Sequence, residues 1–327
     1  MNTTILQTLQ RLLVVAAVAA AGPALAQDAS DFPRQPIRIV TGSSAGSGSD
    51  IVARYLGVKL TPLLGQSIIV ENKPGAAGTI GTLYVAREKP DGYTLTVGGA
   101  STHMLSAALN PKLGYDPVKD FATIGQIGTA GILLIANKNF PGNSLKDIVA
   151  LAKGKPESVQ YASWGNGSTG QFCGEVFGQL AGVKLLHVPY KSIPQVITDV
   201  EAGHIQLGFS DISSGTAFVK AGKVKGIATC GSRSPALPNV TSYSDQGVPF
   251  DRTFRWGLYA PKGTPKPVVD KLAAALKNVL EQPEVVARLL ELGITAAYTP
   301  GEELAAVTAR DIEAWKVVAK DANLKAD

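Results

Sequence analysis

The sequence predicts an α/β protein of two lobes, each a mainly parallel sheet flanked by helices, with a cleft between the lobes. Three observations carry this. Short apolar runs alternate with helical segments, the pattern of β-α-β units. The alternation comes in two series, one ending near Gly98 and one beginning near Ile132. Each series holds a strand followed by a Gly/Ser-rich loop and a helix: "IRIV-TGSSAGSGSD" in the first, "VQYA-SWGNGSTGQ" in the second. Ligands of open α/β sheets bind where such loops leave the carboxyl ends of strands.

The first series opens with a buried strand over Ile37–Thr41, then a helix over Ser49–Leu60 and a strand over Ser67–Glu71. Thr79–Glu88 has helical spacing. Thr94–Gly98 is a strand set off by the turn "KPDGY". In the second series "GILLIAN" is a strand. Ser144–Lys153 is a helix whose N-cap Ser144 and third residue Asp147 approach a capping box. Val159–Ser163 is a strand, Gln171–Ala181 a helix, "KLLHVPY" a strand, and Ile193–Gly203 a helix closed by glycine. "IQLGFSD" and "VKGIATC" are strands on either side of a helix over Ser214–Ala221. A long helix over Pro267–Leu280 and two further helical stretches finish the chain.

Residues 1–26 have the form of a cleavable secretory signal: Arg11, the apolar run Leu12–Ala21, and Ala24-Leu25-Ala26 before Gln27. The apolar run is too short to span a bilayer. Export means that Cys173 and Cys230 could pair; two buried thiols are the other reading, and sequence alone leaves both open. The net charge of +5 is spread along the chain. No basic cluster is interleaved with aromatics, so nucleic acid is not an expected partner. His103, His187 and His204 lie far apart and have no metal-ligand spacing. No cofactor is expected.

The first Gly/Ser loop admits three chemistries. Gly42-Ser43-Ser44-Ala45-Gly46 fits G-x-S-x-G, which would make Ser44 the nucleophile of a secreted hydrolase. Only about ten residues separate the signal from the strand, too few for the upstream strand and loop that supply such an enzyme's oxyanion hole. A phosphate loop needs a lysine, and none lies between Thr41 and Asp50; a dinucleotide loop needs a third glycine where Ile51 stands. Binding an anion needs less. Glycines let backbone N–H groups turn inward, serines add donors, and the helix start adds partial positive charge. Asp50 then braces the loop or caps the helix.

Several stretches in order resemble one family. They are "FPRQPIRIV…AGSGSDIVAR", "VENKPGAAGTIGTLYVA…PDGYTL", "NPKLGYDPVKDFATIGQI", "HVPYKSIPQVITDVEAGHIQLGFSD", "AGKVKGIA…SRSPALPNV" and "WGLYAPKGTPKPVVDKL". The chain is similar along essentially its whole mature length to the Bug, or TctC-like, periplasmic solute-binding proteins of tripartite tricarboxylate transporters. The resemblance implies the two-lobed type II periplasmic-binding-protein fold. Lobe 1 would comprise residues 27–128 and 251–327, lobe 2 residues 129–250, with crossings near Gln126–Gly131 and Phe250–Leu258. It further implies a small organic carboxylate as ligand, hinge closure, a membrane permease as partner, a monomer, a periplasmic location, and no reaction. One ligand carboxylate would be gripped by Ala45, Gly46, Ser47, Gly48 and Asp50 together with Ser163, Trp164, Gly165, Asn166, Gly167, Ser168 and Thr169. Ser43, Ser44, Asn72, Ala77, Ser101, Thr102, His103 and Asp211 would line the rest.

The chain departs from the family pattern at the opening loop. Many members carry Val-Pro-Phe where Thr41-Gly42-Ser43 stands, and a second glycine where Ser47 stands. Less bulk and more hydroxyls imply a roomier, donor-rich pocket. An aromatic dicarboxylate such as terephthalate is the leading expectation, and an aliphatic di- or tricarboxylate the runner-up. Trp164 either stacks on a ring or packs at the lobe edge. His103 either meets a second carboxylate or caps local backbone. Lys191 either supplies long-range charge or is a solvated side chain, the latter favoured, and Trp256 is expected as packing at the crossover.

Overall fold

The computed structural model describes residues 31–321. The expected signal peptide lies outside the described residues. In the first lobe β1 (Ile37–Thr41), β2 (Ile68–Asn72) and β3 (Thr94–Gly98) pair in parallel, with β1 central. Three antiparallel pairings extend this sheet through β4 (Phe121–Ala130), β10 (Phe254–Pro261) and β11 (Thr295–Pro300), in the order β11-β4-β10-β3-β1-β2. Its helices from this part of the chain are α1 (Gly48–Leu64), α2 (Thr79–Ala86) and the short α3 (Ser106–Leu109).

The second lobe runs β5 (Ile132–Asn137), α4 (Leu145–Lys153), β6 (Gln160–Ser163), α5 (Thr169–Ala181), β7 (Leu186–Pro189), α6 (Ile193–Ala202), β8 (Leu207–Asp211), α7 (Ile212–Lys220) and β9 (Val224–Cys230). Its sheet has the order β7-β6-β8-β5-β9. The chain then returns to the first lobe through β10 and ends with α8 (Lys266–Glu281), α9 (Pro283–Glu291) and α10 (Gly301–Asp321). These are two α/β lobes of the type II periplasmic-binding-protein fold.

The sheets are mixed, and the chain's path explains where. β1, β3, β6 and β8 end at the crossing side, as β-α-β units require. β5 and β10 begin there: Ile132 pairs with Asp211, and Phe254 with Ala130. A strand that starts at the crossing must run against its neighbours. β11 stands where only helices were expected. It is an edge strand, only half buried, without clean alternation, and it stops at Pro300, so its sequence carries little strand signal. Helix α1 continues past the expected Leu60 to Leu64.

Local chemistry sets the helix starts. Ser144 accepts from the Asp147 N–H at 3.2 Å, and the Asp147 carboxylate accepts from the Ser144 N–H at 3.0 Å, a complete capping box for α4. Aromatic packing ties the end of the chain to the second lobe. Trp315 of α10 meets Phe172 of α5 edge-on at 4.8 Å between ring centroids and stacks on Phe254 at 5.6 Å. Cys173 of α5 and Cys230 of β9 form a disulfide, with Cα atoms 6.0 Å apart.

Candidate ligand-binding site

The carboxyl ends of β1, β3, β6 and β8 and the start of β10 surround a cleft. Its inner cavity measures about 80 Å³. Ser43, Ser44, Ser47, Ser101, Thr102 and Thr169 line it with hydroxyls, and Trp164, Phe254 and Trp256 line it with aromatic side chains. An outer chamber of about 620 Å³ shares Ser44, Ala77, Trp164 and Lys191 with the inner one and adds Gly165, Asn166 and Gly167. Lys191 is the sole cation lining either cavity among the described residues.

The first loop leaves its helix without a cap from its own N-cap residue. Ser47 sits at the N-cap of α1 but its hydroxyl does not cap it, and the residue borders the cavity. Asp211 of the other lobe takes the Gly48 N–H, and the helix start still offers partial positive charge to an anion. Behind the loop, Asp50 accepts from the Gly46 N–H at 3.0 Å, from Arg54 Nε at 3.0 Å and from Asn72 at 2.8 Å. Burial works to raise the Asp50 carboxyl, and these donors outweigh it, so its pKa lies below the usual carboxylate range. Asn72 also donates to the Ser43 carbonyl at 3.0 Å. Asp50 and Asn72 therefore brace the loop from behind and do not line the cleft, a correction to the expected site. Ala45, Gly46 and Gly48 do not line either cavity; the first two form the exposed crest of the loop. Gly42 explains the missing Pro. A Cβ there would lie 2.2 Å from the Gly78 carbonyl oxygen, so only glycine fits. Across from it, Ala76 and Ala77 hold φ of 46° and 52°, a strained left-handed run at the cleft wall.

The second loop differs from expectation in two residues. Ser163 and Ser168 are fully buried. Ser168 accepts from the Gln171 N–H at 3.2 Å, capping α5, and donates to Ser163 at 3.1 Å. Ser163 lies 2.6 Å from His187 Nε2. Their hydroxyls shape the loop from inside the lobe, and Trp164 and Thr169 present its surface to the inner cavity. The second helix start is thus already capped, unlike α1.

His103 is also displaced from its expected place. It is fully buried, stacks on Tyr259 at 4.0 Å and lies 2.9 Å from Thr102 Oγ1 through Nδ1. Its ring packs beneath the cleft wall because the helical turn after β3 points it into the first lobe's core. Trp256, expected to pack only at the crossover, faces the cavity, together with Phe254. The signal for both was available: they stand at the start of β10, which the crossing brings to the same place as the strand ends. The histidines' positions also bear on Ser44. They engage Thr102, Ser163 and Asp199, and among the described residues Ser44 has no hydrogen bond to a histidine.

Three bridges join the lobes across the cleft. Asp211 Oδ2 accepts from the Gly48 N–H at 2.9 Å, Ser214 donates to the Gly46 carbonyl at 3.1 Å, and Ser101 Oγ lies 2.7 Å from Thr169 Oγ1. A Cβ on Gly48 would fall 2.4 Å from Asp211 Oδ2. Gly48→Ala is therefore expected to weaken binding of any acid that stabilises the wild type about tenfold, the loss of one hydrogen bond between the lobes. Titration calorimetry checks this; equal affinity would show that the lobes need not meet at Gly48.

The profile of the family described as the tripartite tricarboxylate transporter family receptor, TctC, matches residues 52–324. The chain belongs to this family. Solved relatives agree with that assignment. The periplasmic binding protein BugD is 33% identical, with a TM-score of 0.85 over 90% of this chain and 99% of its own. An R. palustris protein with adipate is 27% identical, TM-score 0.86, covering 90% and 99%. MatC from Rhodopseudomonas palustris with bound malate is 32% identical, TM-score 0.82, covering 88% and 99%. The receptor is accordingly a periplasmic solute-binding protein. No helix among its described residues is long and apolar enough to cross a membrane.

Proposed function

We propose that this receptor captures a small organic carboxylate in the cleft between its lobes and delivers it, as a monomer, to the permease of a tripartite tricarboxylate transporter. Lobe 1 is taken as residues 27–128 and 251–327 and lobe 2 as residues 129–250, closing by a hinge at the two crossings. The observation that carries the reading is the mixed lining of the inner cavity. Hydroxyls and the start of α1 border it together with Trp164, Phe254 and Trp256. The hydroxyls suit a carboxylate and the aromatic side chains suit a flat apolar body. An aromatic dicarboxylate such as terephthalate fits both. An aliphatic di- or tricarboxylate is the second reading, favoured by the adipate and malate carried by the similar structures.

The test is a thermal-shift panel of aromatic and aliphatic mono-, di- and tricarboxylates and amino acids. A ligand at a hundred times its Kd should stabilise the receptor by about 2.7 kcal/mol. Terephthalate is expected to give the largest shift. A panel in which only aliphatic acids act would end the aromatic reading, and one in which no acid acts would end the carboxylate reading.

A further inference from the structure

Asp211 is an acid at the wall of a cleft read as a carboxylate site, and its surroundings are unusual for one. It occupies the N-cap of α7, yet its carboxyl makes no capping bond to its own helix. An Asp at this position ordinarily accepts from the second or third N–H of the helix. Here the side chain reaches across the cleft instead, and Oδ2 accepts from Gly48 at the start of α1. Gly48 is the residue whose lack of a Cβ makes that approach possible. Oδ1 has no hydrogen-bond partner among the described residues, and the residue lines the inner cavity at 8% exposure.

No cation among the described residues bonds it. α1 brings Asp50, which is held by Arg54. The turn before α6 brings Lys191, which borders the cavity without bonding Asp211. α6 carries Asp199, bonded to Tyr190 and His204, and Glu201, paired with Lys223. α7 has only Lys220, in its last turn. β5 and the rest of β8 have no ionisable side chain, β6 has Tyr161, bonded to Glu175, and β9 has Lys225, bonded to the Phe140 carbonyl. Burial pushes the Asp211 carboxyl up to about 6, with the Gly48 N–H opposing it.

We propose that Asp211 takes one proton from solvent when the receptor binds its acid, and that the neutral carboxyl then donates a hydrogen bond from Oδ1 to the ligand carboxylate. The proposal rests on reading the cleft as a carboxylate site. Two ionised carboxylates sharing a small cavity repel, and a single proton held between them turns repulsion into a strong hydrogen bond. The ligand stays anionic and Asp211 becomes neutral, so binding is linked to one proton. Asp211 thereby favours ligands that place a bare carboxylate beside it. It disfavours those whose own hydroxyl or ammonium group would need an ionised Asp211 there.

The test uses calorimetric titration of the intact receptor with terephthalate and with adipate. Titrations at pH 8 in phosphate and in Tris, whose ionisation heats differ, count the protons exchanged. The expected result for the wild type is an uptake approaching one proton, with Kd rising close to tenfold per pH unit between pH 7 and 8.5. Asp211→Asn, which supplies a donor permanently, is expected to bind with no proton uptake and a flat pH profile. Wild-type binding with no proton exchange overturns the proposal while leaving the carboxylate reading in place, and needs no variant. Proton uptake that persists in Asp211→Asn also overturns it. The absence of binding heat and melting shift with both acids at every pH removes the carboxylate site and the proposal with it.

Discussion

Removing the Cys173–Cys230 bridge is expected to lower the stability of the receptor by about 4 kcal/mol. The two cysteines are 57 residues apart in sequence, so the bond closes a long loop of the unfolded chain. Constraining a loop of that length removes much conformational freedom from the unfolded state, and the folded state keeps its geometry. The bond joins α5 to β9 inside the second lobe, where both residues are fully buried. It therefore reports on the folding of that lobe, and an exported protein meets the oxidising conditions it needs. The check is urea unfolding of the Cys173→Ala, Cys230→Ala double variant beside the wild type, with melting expected to fall on the order of 10 °C. A loss below about 1 kcal/mol would mean that the unfolded chain gains little freedom when the bridge is absent.

The second large effect concerns acid. His103 is fully buried, its Nε2 has no hydrogen-bond partner, and burial lowers its pKa from 6.5 to about 3. Protonation there would place a charged N–H in the core with nothing to accept from it. The folded-state value is depressed, so the unfolded chain takes the proton first. The stability from neutral His103 is complete above about pH 6.5 and is lost as the pH falls toward 3. Between pH 6.5 and 4 the loss is about 3 kcal/mol. Asp211 acts in the opposite sense, because its raised pKa costs stability at neutral pH and relieves that cost as it protonates between about 6 and 3.8. The readout is therefore the difference between His103→Phe and wild type, not the wild-type curve alone. Phenylalanine keeps the stack on Tyr259 and cannot take a proton. Its stability relative to wild type is expected to rise steadily from pH 6.5 to 4; parallel curves would show that His103 does not titrate over this range.

Much of the fold was legible because its signals are local. Short apolar strands, the Ser144 capping box and the glycine that ends α6 are each decided within a few residues. The paired Gly/Ser loops marked where the cleft lies, and Ser43, Ser44, Ser47 and Trp164 do line it. The errors share one cause. Ser163, Ser168, Asp50, Asn72 and His103 stand beside lining residues in sequence, but side chains leave a loop or a strand end in alternating directions. Proximity in sequence located the loops and could not say which side faces the ligand. Trp256 was misjudged, and Phe254 was not singled out, for the converse reason: both are far from the loops along the chain and meet them only because β10 starts at the crossing.

By itself the sequence determined the two α/β series, the Gly/Ser loops and the absence of a built phosphate or metal motif, since each depends on residue type at short spacing. Family membership also follows from ordered stretches along the chain. The tertiary structure alone decided that Cys173 meets Cys230, that Trp256 faces the cavity, and that Asp211 of one lobe bonds Gly48 of the other. Each of these joins residues separated by dozens to well over a hundred positions. Such distances are settled by the packing of whole sheets, which no local pattern encodes.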